Sequence, residues 1–166
     1  MKKELEIELV KKYSNILRDH GGDPMKTCMA WGIEADDGWY ELLDKCMEKL
    51  QHFCDLCTKS GSPIQVVAHQ IKEKYGTLSF YYGGEGGTKI DWDIIDDIIA
   101  EAERRSAQTC EESGKHGCLC SRGGWYKTLS YEEARKLGYK ACNSETEEYW
   151  VSKDVEQQNE LSPDQK

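Results

Sequence analysis

Apolar residues recur at helical spacing from Glu4 to Leu17, where Leu5, Leu9, Val10, Tyr13, Ile16 and Leu17 predict a first amphipathic helix. The run His20-Gly21-Gly22-Asp23-Pro24 ends it, since two glycines and a proline cannot continue a helical ladder. A short segment over 25–33 follows, and Glu34 to Trp39 reads as a turn opening a second helix. Trp39, Leu42, Leu43, Cys46, Met47, Leu50, Phe53, Cys54 and Cys57 share one stripe of that helix, which closes near Ser60-Gly61-Ser62-Pro63.

The periodicity then changes to two. Ile64 to Tyr75 alternates and is rich in β-branched residues, Tyr75-Gly76-Thr77 reads as a tight turn, and Leu78 to Tyr82 alternates again, which predicts a β-hairpin. The glycine run 83–87 is expected to be a flexible connector. A third helix is predicted over 90–107, with Ile94, Ile95, Ile98, Ile99 and Ala102 inward and Asp91 and Asp93 in its first turn, where carboxylates suit the positive helix end. Beyond Gln108 a Cys/Gly-rich stretch, 109–125, precedes a short helix capped by Ser130 and ending near Leu137-Gly138. The expected fold is α+β: a small antiparallel sheet or β-hairpin packed by about three helices, with the Cys/Gly-rich loop at one edge.

Residues 1–142 are expected to form a single globular domain and residues 143–166 an acidic C-terminal tail, partly disordered in its last dozen residues. That tail carries seven acids against two lysines, and Tyr149-Trp150-Val151 within it is apolar enough to dock as a strand or hook. The whole chain has a net charge of −9, which argues against DNA or RNA backbone binding, because such binders need a basic face to neutralise phosphates. A single small anion in a local basic pocket remains compatible with that charge. No apolar run approaches a membrane span and no signal core opens the chain, so a cytoplasmic protein with mostly reduced cysteines is expected.

Several stretches together resemble a family of small, uncharacterised phage and prophage proteins. They are Asp36-Asp37-Gly38-Trp39, the run Gln70-Ile71-Lys72-Glu73-Lys74-Tyr75-Gly76-Thr77-Leu78-Ser79-Phe80-Tyr81, Thr109-Cys110-Glu111-Glu112-Ser113-Gly114, Gly123-Gly124-Trp125 and Leu129-Ser130. The family pattern reads G-D-G-W, then a strand pair like Q-V-K-E-K-F-G-T-L-R-F-Y, then T-C-E-x-C-G, G-G-W and L-C, and the match runs in order over residues 13–137. The resemblance implies a viral origin, with the host cytoplasm as location, and no established activity. The two cysteine pieces look like halves of a zinc site, and here Ser113 and Ser130 stand at two of those thiol positions.

Cys110, His116, Cys118 and Cys120 still offer three thiols and an imidazole, in a spacing that is no standard zinc knuckle. They are read as ordinary thiols, with zinc as the alternative, and no cofactor is expected. Cys54 and Cys57 fall on a helical core stripe. Asp37 is read as a helix cap. No nucleophile motif surrounds any of the four histidines, and the glycine run lacks the Lys-Ser/Thr of a phosphate loop. The chain therefore reads as a binding protein and not an enzyme, with no catalytic residues assigned.

The ligand-binding signal is a group of aromatics with scattered cations: Trp39, Lys72, Lys74, Tyr75, Tyr81, Tyr82, Arg122 and Trp125. Rings stack on nucleobases, and Lys and Arg give phosphates charge-assisted bonds. The bland reading makes Trp39 and Trp125 core rings and the lysines solvated edge charges. Joined to the viral resemblance, this predicts a counter-defence protein that sequesters a nucleotide-derived host immune signal, such as a cyclic ADP-ribose or a cyclic nucleotide, without cleaving it. A homo-oligomer is expected with that function. The alternative is a protein–protein adaptor or inhibitor acting on a host or phage protein.

Overall fold

The computed structural model describes residues 1–160, with side-chain environments to residue 155. Its fold is α+β, with five helices and two three-stranded sheets among the described residues. The first sheet has the order β1-β2-β3. Here β2 (Ile64–Lys74) and β3 (Thr77–Gly86) form the expected antiparallel hairpin, and β1 (Ile33–Glu34) adds to β2 in parallel, with Ile33 opposite Ile71. Helices α2 (Tyr40–Lys59) and α3 (Lys89–Ser106) pack on it. The larger core lies between them, built from Met47, Leu50, Ile71, Leu78 and Ile95 among others.

Helix α1 (Lys3–Lys12) is shorter than its apolar stripe predicts. Tyr13 leaves helical geometry at φ −123° and ψ 47°, yet Tyr13, Ile16 and Leu17 stay buried in the turns that follow. Two bonds explain the early stop. The Tyr13 hydroxyl donates to Asp44, and the Ile16 carbonyl accepts from Ala68 N at 2.8 Å, beside the register shift between Ala68 and Gln70. A helix carried through Ile16 would turn that carbonyl onto its own ladder.

The glycine run is strand through Gly86 and not a flexible connector: Gly83 pairs with Val67, Gly84 with Val66 and Gly86 with Ile64. The reason is close approach, since a Cβ on Gly84 would lie 1.9 Å from the Gln65 carbonyl oxygen and 2.8 Å from the Trp92 ring. α3 then opens with a full capping box, in which the Thr88 side chain accepts from Asp91 N and the Asp91 carboxylate accepts from Thr88 N.

The Cys/Gly-rich stretch is more than an edge loop. β4 (Cys118–Arg122) and β5 (Trp125–Leu129) form a second hairpin, and β6 (Lys140–Ala141) pairs with β4 on its other side. Ser130 caps α4 (Tyr131–Leu137), which ends on Gly138 at φ 72°. The segment from residue 143, expected as an acidic tail, is helical as α5 (Ser144–Glu160). Buried Trp150 anchors α5 edge-on to Tyr131, and Arg135 pairs with Glu147 and Asp154. These contacts complete a smaller apolar cluster with Cys120, Leu129, Ala134 and Tyr139. For residues 161–166 the expected disorder lies outside the described residues.

The two clusters meet through polar ties. Trp39 Nε1 donates to the Thr109 carbonyl at 2.8 Å, Gly38 N to the Glu111 carbonyl at 2.7 Å, and Thr128 Oγ1 to the Gly76 carbonyl at 2.6 Å. Among the described residues no helix is long and apolar enough to cross a membrane.

Candidate functional site

The turn of the first hairpin packs against the strands of the second. Tyr75-Gly76 joins β2 to β3 with both residues at positive φ, 53° and 84°, the type I′ pattern that suits the twist of a two-residue hairpin. Gly123-Gly124 does the same between β4 and β5, at 56° and 88°. Gly76 lets the first turn sit against the β4–β5 ladder, because a Cβ there would stand 2.4 Å from Leu119 Cδ1 and 3.5 Å from Thr128 N. Glu73 closes the first turn by accepting from Gly76 N, and Thr128 holds the Gly76 carbonyl.

Between the tips lies an open cleft of about 430 Å³, lined by Glu73, Lys74, Tyr75, Gly124, Trp125 and Tyr126. Its size is within the range of small-ligand sites. Tyr75 and Trp125 are 74% and 76% exposed, so the rings are not core, and the ring–ring contacts among the described residues are Phe80–Tyr82 and Tyr131–Trp150. The cleft therefore offers two free aromatic faces from separate hairpins. Lys74 stands beside them, its Nζ 6.0 Å from the Tyr75 ring centre. Tyr75 is the one non-glycine residue at positive φ among the described residues, a conformation costing about 1 kcal/mol.

Of the eight residues predicted from the sequence, the structure brings Lys74, Tyr75 and Trp125 together. Trp39 is a correction: it is fully buried in the larger core, where its indole N–H is engaged by Thr109. Tyr82 is half-buried and donates to Asp96, and burial together with that carboxylate raises its pKa. Lys72 lies over the Tyr81 ring at 5.6 Å, a pair apart from the cleft. Arg122 stacks on Tyr139 at 4.8 Å and donates to the Leu137 carbonyl, which holds it to the end of α4. Asp37 is no helix cap. Its carboxylate instead accepts from Lys2 N and pairs with Lys2 Nζ at 2.8 Å.

A second polar centre forms around Lys127, the residue after Tyr126. Lys127 Nζ is bonded to Asp36 and Glu112 and stands 3.5 Å from Glu111 Oε2. Glu111 is 3% exposed, and its Oε2 is the carboxylate oxygen left without a hydrogen bond. Burial pushes its pKa up to about 7, against the attraction of Lys127. Nothing in the sequence signals that these groups converge, because Asp36, Glu111 and Lys127 come from three separate segments.

The zinc candidates are spread differently. Cys118 and Cys120 share one face of β4 with sulfurs 4.0 Å apart, Cys110 is fully buried, and His116 is exposed. The contact between the two thiols lowers the pKa of Cys118 and raises that of Cys120. Among the described residues no three His, Cys, Asp or Glu side chains converge as a metal-ligand group. No family model matches the chain, and neither a curated protein nor a solved structure does.

Proposed function

We propose that the chain is a binding protein that takes the planar base of a nucleotide-derived small molecule between its hairpin tips and holds it uncleaved. The observation that carries this reading is the placement of Tyr75 and Trp125, from two hairpins, in one cleft with Lys74. Each ring offers a stacking face, worth about 1–3 kcal/mol per base, and Lys74 supplies one charge-assisted bond to a phosphate. With Glu73 beside that single lysine, the cleft suits a ligand of low negative charge better than a triphosphate. The motif resemblance to small phage proteins is what turns this reading toward a host immune signal, and a homo-oligomer is the working form expected of such a binder.

Calorimetry against cyclic ADP-ribose, ADP-ribose and cyclic mono- and dinucleotides tests the reading. One member should bind with a measurable heat, lose at least tenfold in affinity in Trp125→Ala, and be recovered intact after the protein is heated. No heat with any member overturns it.

A second reading, an adaptor or inhibitor of another protein, is favoured by Met25 and Trp31, which are 90% and 73% exposed away from the cleft. Capture of a defined partner that is lost in Trp31→Ala and kept in Trp125→Ala supports it.

A further inference from the structure

A cleft of about 410 Å³, sharing no lining residue with the aromatic one, lies between the start of α2, the end of α3 and the turn 110–115. Three cations line it, each from a different element: Lys45 from α2, Arg105 from α3 and Lys115 from the turn. The Thr109 and Ser113 hydroxyls share its wall, and two carboxylates, Asp37 and Glu41, face it as well. Asp37 is already paired with Lys2, and Glu41 pairs with Lys45 at 3.7 Å. Among the described residues neither Arg105 nor Lys115 has a carboxylate partner within 4 Å.

A bland duty for Arg105 would be to neutralise the carbonyl end of α3. That end is satisfied without it. The Arg105 carbonyl accepts from Gln108 N at 3.0 Å and from Thr109 Oγ1 at 2.8 Å, while the neighbouring Arg104 pairs with Glu101. The turn that presents Ser113 and Lys115 is held firmly too. Gly114 N donates to the Cys110 carbonyl and Cys110 N to the Lys115 carbonyl, with Gly38 packed against the turn's backbone. On a chain of net charge −9, two unpaired cations held at one concavity beside two hydroxyls form a local positive site.

We propose that this cleft is a second binding site, for a phosphate-class oxyanion. Arg105 presents its guanidinium fork to two oxygens, Lys115 adds a point charge, and the Ser113 hydroxyl donates to a third. The site is separate from the aromatic cleft and does not rest on the function proposed for it. An inorganic phosphate ion and the phosphate of a monoester share the required chemistry.

The test titrates the full chain with sodium phosphate, glycerol 3-phosphate and sodium chloride at matched ionic strength, reading melting temperature and binding heat. Glycerol 3-phosphate has no ring to stack, so the aromatic cleft does not contribute. We expect saturable binding of at least one phosphate species, weakened about tenfold by Arg105→Gln or by Lys115→Gln. Both side chains are exposed, so the variants should keep the wild-type melting temperature in chloride. Trp125→Ala should bind these probes as wild type does. Binding of phosphate alone marks a free-anion site, and binding of both marks one open to monoesters. Stabilisation no greater than that by chloride, or unchanged phosphate binding in the Arg105→Gln/Lys115→Gln double variant, overturns the proposal.

Discussion

Gly38 lies so close to Cys110 that a Cβ on it would stand 2.3 Å from the Cys110 carbonyl oxygen and 2.4 Å from Gly114 N. These are backbone atoms fixed by their own hydrogen bonds, so they have no rotamer by which to retreat. Gly38→Ala should therefore force the two apolar clusters apart. It should destabilise the fold by about 3 kcal/mol, the upper range for an overpacked site, read as a lower urea midpoint. An unchanged midpoint would show that the contact is not tight in solution.

Tyr75 should be retained for its ring at a cost in backbone energy. Tyr75→Asn places a residue that tolerates positive φ at the first position of the I′ turn, so it should raise stability by about 1 kcal/mol, or about 3 °C in melting temperature. The same variant should weaken a stacked ligand by about tenfold. A variant that gains stability with no loss of binding would remove Tyr75 from the site.

Buried Glu111 should make stability fall as pH rises through the neutral range. Its carboxyl has an ordinary pKa of 4.5 in the unfolded chain and about 7 in the fold. The folded protein thus holds this proton more tightly. The resulting stabilisation is full below 4.5 and is lost progressively up to about 7, an effect of about 3 kcal/mol. Glu111→Gln should lack that slope. Chemical denaturation of both proteins between pH 4.5 and pH 7.5 checks this, since other carboxylates contribute equally to each. Parallel curves would refute it.

Trp150→Ala should cost about 3 kcal/mol or more, because it empties a buried site against Tyr131 and Arg135. The change should loosen α4 and β6 more than β2 and β3, which is measurable by amide exchange. Uniform protection in the variant would contradict an anchoring role for α5.

Helices α2 and α3 and the β2–β3 hairpin were legible because each is contiguous and its apolar period is long enough to choose between 3.6 and 2. Strands β1 and β6 have two residues each and no period of their own, and their partners are more than 18 residues away in sequence. The glycine run 83–86 looked like a linker because glycine is a turn residue by default, whereas Gln65 and Trp92 explain it as a place of close approach. For the aromatic cleft, ring and cation types were visible but their grouping was not. Trp39 and Trp125 look alike in sequence, and only packing makes one a core ring and the other an exposed one. Lys45, Arg105 and Lys115 gave no common signal, because they lie on separate elements and are joined by tertiary folding.

The polar character of the ties between the two apolar clusters bears on the order in which the protein comes apart. Of the ties across that boundary the Lys127–Asp36 ion pair is weakened by added salt, whereas burial of Leu50, Ile71 and Ile95 is not. Raising ionic strength should thus loosen the seam first, freeing the small cluster of β4 to α5 while the larger one is still folded. The cleft between the hairpin tips straddles that seam, and a ligand seated there would act as a rivet, holding both halves to a single melting event.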